Sequence, residues 1–242
     1  MGCDIHMAVE RREGGRWVRV MPPVEARDPW LVEWAAKQPA NDWSHKRAEV
    51  TWYADRNYDC FAALADVRNN GHITPIAARR GFPDDLSDGV RALLDENRPD
   101  DCDDIWMGDH SHTWLLLSEV LAYDWDKGTL NDGVVPFHEF RARIEKYGTD
   151  VPLDFRDGWA PYSGYSGGIS GRGIYTMEAP VALAKVARGG VLESDTERPY
   201  VRDYWTTPLR AQVGSFLTRV VPALQGLASD PADVRLVFGF DS

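Results

Sequence analysis

The stretch Asp233-Val-Arg-Leu-Val-Phe-Gly-Phe-Asp241 constrains the fold more than any other part of the chain. Val234, Leu236, Phe238 and Phe240 alternate along it, so one face of the extended segment is wholly apolar. Such a strand needs a neighbour, both to cover that face and to satisfy its backbone groups. Residues 3–10, Cys-Asp-Ile-His-Met-Ala-Val-Glu, are the natural partner: Ile5, Met7 and Val9 share one face, and Asp4, His6 and Glu10 share the other. Pairing of the N- and C-terminal strands is therefore expected. Glu13-Gly14-Gly15 then turns the chain into Arg16-Trp17-Val18-Arg19-Val20, which completes a hairpin.

Helix starts are legible as caps followed by a 3.6-residue period. Asp28-Pro29 precedes Trp30, Leu31 and Trp34; Ser87 precedes Val90, Leu93 and Leu94; Val135-Pro136 precedes Phe137, Phe140 and Ile144, with Gly148 as the stop. Phe61, Leu64, Ala65 and Val67 form a helical stripe from Tyr58 to Val67, ended by Asn69-Asn70-Gly71. A further helix is expected over Trp114–Tyr123. The longest is expected to open at Thr207-Pro208 and run through Leu209, Val213, Phe216, Leu217, Val220, Leu224 and Leu227, kinked at Pro222. No linker or internal repeat interrupts the chain. The pattern predicts one α+β domain over residues 1–242, a mostly antiparallel sheet with the terminal strands paired and helices packed on it.

The charge balance narrows the partners. Lys and Arg number 27 against 38 Asp and Glu, a net charge of −11, which opposes non-specific nucleic-acid binding. Three cysteines at positions 3, 60 and 102 form no paired framework, as expected of reduced thiols in the cytoplasm. No apolar run reaches membrane-spanning length and no secretory leader is recognisable, so no membrane association is expected. His6 stands where an acylation signal wants Ser or Thr. The 10 tryptophans are an excess that suits either an irregular core or a pocket that stacks flat ligands.

Three polar clusters stand out. Asp4 and His6 project from one face of the first strand, where Asp241 or Arg235 would join them if the last strand pairs alongside. The run from Asp100 to Thr113 is dense in oxygen and nitrogen donors, and Asp109, His110 and His112, with His6, are the set suited to one divalent metal ion. Equally, its Asp and Ser residues suit a helix N-terminus and its histidines a polar loop. Arg56 and Tyr58 open one helix, and Arg79 and Arg80 precede Asp85, which makes these arginines the best anion ligands in an acidic chain. The glycine-rich stretch Tyr162–Tyr175 contains the pattern Gly164-Tyr-Ser166-Gly-Gly168, but no strand before it or helix after it supports a nucleophile elbow.

Cys3-Asp4-Ile5-His6, Arg56-Asn57-Tyr58-Asp59-Cys60-Phe61, Arg80-Gly81-Phe82-Pro83-Asp84-Asp85 and His110-Ser111-His112-Thr113-Trp114-Leu115 together resemble a group of phage-encoded proteins without an established activity. The resemblance covers about the first half of the chain and implies an accessory protein acting in the bacterial host cytosol, in a setting where such proteins counter host defence. It carries over no catalytic residue. The leading expectation is a protein that binds a small nucleotide-like ligand through Asp4, His6, Arg56, Tyr58, Arg80, Asp85 and Trp114. Two rivals are a metal-dependent hydrolase or phosphodiesterase holding its ion on His6, Asp109, His110 and His112, and a protein-binding inhibitor of a host factor. A homo-oligomer is compatible with all three.

Overall fold

A computed structural model describes residues 2–95, 107–149, 162, 166, 168–189 and 198–241. In chain order the elements are β1 (Asp4–Glu13), β2 (Arg16–Val20), α1 (Pro29–Ala35), α2 (Trp43–Val50), α3 (Tyr58–Ala65), α4 (Asp88–Asp95), β3 (His110–Leu116), α5 (Leu117–Ala122) and β4 (Gly128–Pro136). They continue with α6 (Phe137–Tyr147), β5 (Ile174–Glu178), α7 (Ala179–Ala187), β6 (Arg198–Pro208), α8 (Leu209–Gln212), α9 (Val221–Gln225) and β7 (Val234–Asp241). The fold is α+β with the terminal strands paired, and contacts gather it into two compact units, residues 1–125 with 212–242 and residues 126–211. Among the described residues no helix is long and apolar enough to cross a membrane.

The first unit is built on a four-stranded antiparallel sheet of order β2-β1-β7-β3. Gly14 and Gly15, at φ +55° and +82°, make the tight β1–β2 turn, a conformation glycine adopts without steric cost. β1 and β7 pair in register from Asp4 opposite Asp241 to Arg11 opposite Val234. β7 is central, and Val234 to Phe240 are buried on both faces rather than one. On one face Phe61 of α3 meets Phe240 edge-on at 5.1 Å. On the other, Ala8 and Val237 carry a cluster of Leu86, Val90, Leu93 and Met107.

The second unit pairs β4 with β6 antiparallel and β5 with β6 parallel. Its core is Val135, Phe137, Phe140, Tyr162, Met177, Ala182 and Val201, and the Tyr162 hydroxyl donates to Asp203 inside it.

Caps behave as the sequence predicts at two starts: the Asp28 side chain accepts from the Trp30 and Leu31 amides, and Ser87 accepts from Val90 N; Asn57 adds a cap at the start of α3, accepting from Cys60 N. Three expectations are corrected. Residues 110–116 form β3, and Trp114–Leu116 belong to it rather than to the helix expected over Trp114–Tyr123, because pairing with β7 satisfies their backbone; the helix begins only at Leu117. α3 stops at Asp66, which takes φ +57° itself and leaves Asn69 to accept from Ile73 N in the following turn. The long helix from Thr207 does not form as one piece: Thr207 and Pro208 end β6, Gly214 at φ +52° breaks the path, and a π-turn over Phe216–Val220 absorbs the missing donor of Pro222.

Candidate functional site

The start of β1, the end of β7 and the start of β3 meet at one end of the first sheet. Register sets Asp4 directly opposite Asp241, two carboxylates on one face of adjacent strands. Their repulsion is offset from three directions. Arg56 grips Asp4 through Nε and Nη2, which raises the guanidinium pKa further and leaves Nη1 outside the pair. The His6 ring nitrogen Nε2 lies 2.9 Å from Asp241 Oδ2, and the Asp4 amide donates to Asp241 Oδ1 at 3.0 Å. Arg47 of α2 adds its field at Asp241. Asp241 is consequently held below the usual carboxylate range, chiefly by the His6 hydrogen bond.

A depressed folded pKa contributes stability at pH above the unfolded value and loses it as pH falls through the folded one. Asp241→Asn should therefore destabilise the protein at pH 7, with the gap from the parent closing below about pH 4. Urea midpoints at pH 7 and pH 3 measure it; an equal gap at both pH values contradicts the assignment.

A cavity of about 630 Å³ opens beside this cluster, lined by Asp4, Asp28, Trp30, Leu31, Trp34, Arg47, Ala54, Asp55 and Arg56. Its frame is local. α1 and α2 pack through Leu31, Ala35 and Ala48, which brings Arg47 to face the tryptophans of α1. Trp30 and Trp34, four residues apart, stack with centroids 5.9 Å apart and planes 4° from parallel. Trp30 nevertheless stays 66% exposed, a large aromatic kept in water at the mouth of a cavity. Behind them Asp28 is already committed, accepting from two amides at the start of α1 and from Arg219 Nη2 at 3.0 Å, while the Ser215 hydroxyl donates to Asp55. The cavity lining thus combines an aromatic shelf with the guanidinium groups of Arg47 and Arg56.

Of the residues read from the sequence, Asp4, His6 and Arg56 come together, with Asp241 joining as anticipated. Tyr58 sits at the first turn of α3, its ring 5.8 Å from Phe61. Arg80, Asp85 and Trp114 belong elsewhere. Arg80 lies over the Trp114 ring at 4.6 Å and pairs with Glu119, while Asp85 accepts from Arg235 and from Trp17 Nε1. Arg235 faces Glu10, six residues along β1 from Asp4, or about 20 Å at strand rise. These groups anchor the segment before α4 to the sheet. Arg80 pairs with Glu119, and Arg235 joins Glu10 rather than Asp4.

The metal set is dispersed. His6 is turned to Asp241; His112 lies against Phe82 with centroids 4.4 Å apart and its Nε2 is 3.1 Å from Gly108 O; His110 Nδ1 is 2.9 Å from Ser111 Oγ. Among the described residues no three His, Cys, Asp or Glu side chains converge to hold a metal ion. Asp100 to Trp106, part of the donor-rich run, and most of the Gly164–Gly168 pattern lie outside the described residues.

Sequence reasoning missed Trp34, Arg47 and Asp55 as site residues, and read Trp30 only as part of a helical stripe. The i, i+4 spacing of the tryptophans was the available signal; Arg47 and Asp55 had none. Searches against protein-family models, curated proteins and solved structures find no match to this chain.

Proposed function

We propose that the protein binds a small nucleotide-like ligand in the cavity between Trp30, Trp34, Arg47 and Arg56. The observation that carries this reading is the pairing, in one cavity of about 630 Å³, of an exposed stacked tryptophan shelf with two guanidinium groups. That volume falls within the range of ligand sites, and a planar base plus a phosphate is the chemistry such lining recognises. The base lies on the Trp30 face. Arg47 and Arg56 take the phosphate, Arg56 with the Nη1 edge that Asp4 leaves outside its bidentate pair. The role of the site in this reading is retention, and the resemblance to phage accessory proteins supplies the setting of a sink that lowers the concentration of a nucleotide signal.

Calorimetric titration with nucleoside mono-, di- and triphosphates and cyclic dinucleotides tests the reading. Base stacking on a protein aromatic is worth about 1–3 kcal/mol, so Trp30→Ala should weaken binding by about 5- to 150-fold. Affinity should also fall with salt, as phosphate contacts require. Equal affinity in the parent and the variant overturns the site.

A further inference from the structure

The bulge that opens β3 holds a second arrangement, separate from the cavity lining. β3 takes three residue steps from His110 to Thr113 where β7 takes two from Phe240 to Phe238, so one residue is extra. Ser111 absorbs it at φ +53°, a left-handed conformation that a side chain other than glycine adopts only when its surroundings enforce it. The enforcing contacts are chemical as well as steric. Asp109 N donates to Phe240 O at 2.8 Å, and Gly81 N donates to His112 O at 3.1 Å, which pins the bulge on both sides.

The hydroxyl held there is half-buried and engaged twice. Arg79 Nη1 donates to Ser111 Oγ at 2.8 Å, and Ser111 Oγ lies 2.9 Å from His110 Nδ1. Arginine has no acceptor, so the Ser111 hydroxyl accepts from Arg79 and keeps its own proton available to His110. In the tautomer that carries its proton on Nε2, Nδ1 accepts from the hydroxyl and Nε2 lies 4.0 Å from Asp109 Oδ1. A hydroxyl beside a ring nitrogen that can take its proton, a carboxylate within electrostatic reach of the far side of that ring, and a cation beside the oxygen are the parts of an activated serine.

We infer that Ser111 is a nucleophile toward small carboxylic esters, with His110 as its general base. Oγ attacks the acyl carbon as its proton passes to His110 Nδ1, and Arg79 stabilises the oxyanion that forms. The bond from the acyl carbon to the leaving alcohol oxygen breaks, and His110 returns the proton to that oxygen. Water then attacks the acyl-Ser111 ester, giving one proton to His110 Nδ1; Oγ departs, recovers that proton, and the carboxylic acid is released and loses its remaining proton to solvent. Asp109 stabilises the imidazolium in both halves.

The test uses the full chain, a fluorophosphonate probe and p-nitrophenyl acetate. The probe forms an Oγ–P bond with loss of fluoride, and peptide mass spectrometry locates it. Ser111→Gly removes the hydroxyl while suiting the positive φ, so the bulge is retained; His110→Gln removes the base and keeps a polar side chain. The proposal expects labelling at Ser111, none at that position in Ser111→Gly, and labelling and ester turnover at least tenfold slower in His110→Gln. An unlabelled Ser111, or equal labelling rates in the parent and His110→Gln, overturns it.

Discussion

Arg235→Met should lower stability by about 3–5 kcal/mol, the range for stripping one partner from a buried ion pair. Arg235 and Glu10 are 2% and 0% exposed, facing each other across β7 and β1. Arg235 Nε donates to Glu10 Oε2 at 2.7 Å, Nη1 donates to Asp85 Oδ1 at 2.5 Å, and the guanidinium lies 4.2 Å from the Trp17 ring. Ser87 N completes the set by donating to Glu10 Oε1 at 2.7 Å. Without Arg235 the Glu10 carboxylate keeps one backbone donor in a site closed to water, and the segment 84–87 keeps only the Trp17–Asp85 and Ser87–Glu10 bonds to hold it to the sheet. Glu10→Met combined with Arg235→Met should lose less than the sum of the single changes, because the second removal takes away the charge the first one stranded. Urea unfolding of the three variants measures this. A single-variant loss under about 1 kcal/mol means that water reaches the pair and contradicts the buried network.

Gly108→Ala should cost about 2–5 kcal/mol, from two sources that can be separated. Gly108 has φ +71°, where a Cβ costs about 1–2 kcal/mol. That Cβ would also meet the Phe240 backbone carbon and oxygen at 2.3 Å, which adds an overpacking cost of about 1–3 kcal/mol. Gly81 has the same φ, +71°, with nothing within 4 Å of its Cβ position, so Gly81→Ala isolates the backbone cost alone. The difference between the two variants in thermal or urea unfolding is the price of pushing Met107–Asp109 away from β7. Equal losses would mean that this crossing segment does not lie against Phe240. Because Asp109 to Ser111 follow directly, Gly108→Ala should also disturb the His110–Ser111 contact, whereas Gly81→Ala reaches it through Arg79, Arg80 and the Gly81 N–H bond to His112 O.

The sequence was most informative where period and partner agreed. β1 and β7 each carry one oily face, and pairing them brought Asp241 to Asp4 and His6 as the alternation implies. The capped helices at Asp28 and Ser87 followed for the same local reason. The run from Trp114 to Tyr123 misled because nine apolar or small residues at mixed spacing fit a strand followed by a helix as well as one longer helix. β4 was hidden by Asn131-Asp132-Gly133, residues depleted in strands, which its pairing with β6 carries through. At the site, nearness in sequence was the poor guide. Arg80 and Asp85 look like members of an anion cluster, yet long-range pairing commits them to Glu119 and Arg235. Arg47 carries no motif, and only the packing of α1 on α2 brings it to the tryptophans.

The most direct test of nucleotide binding at the Trp30–Arg47–Arg56 cavity is native mass spectrometry of the chain mixed with an equimolar panel of nucleoside phosphates and cyclic dinucleotides. A one-to-one adduct of a single nucleotide class, lost in the Trp30→Ala, Arg47→Ala double variant while that variant keeps the parent's folded charge-state distribution, is the predicted result. A bare chain across the whole panel, or an adduct equally abundant in the double variant, contradicts it.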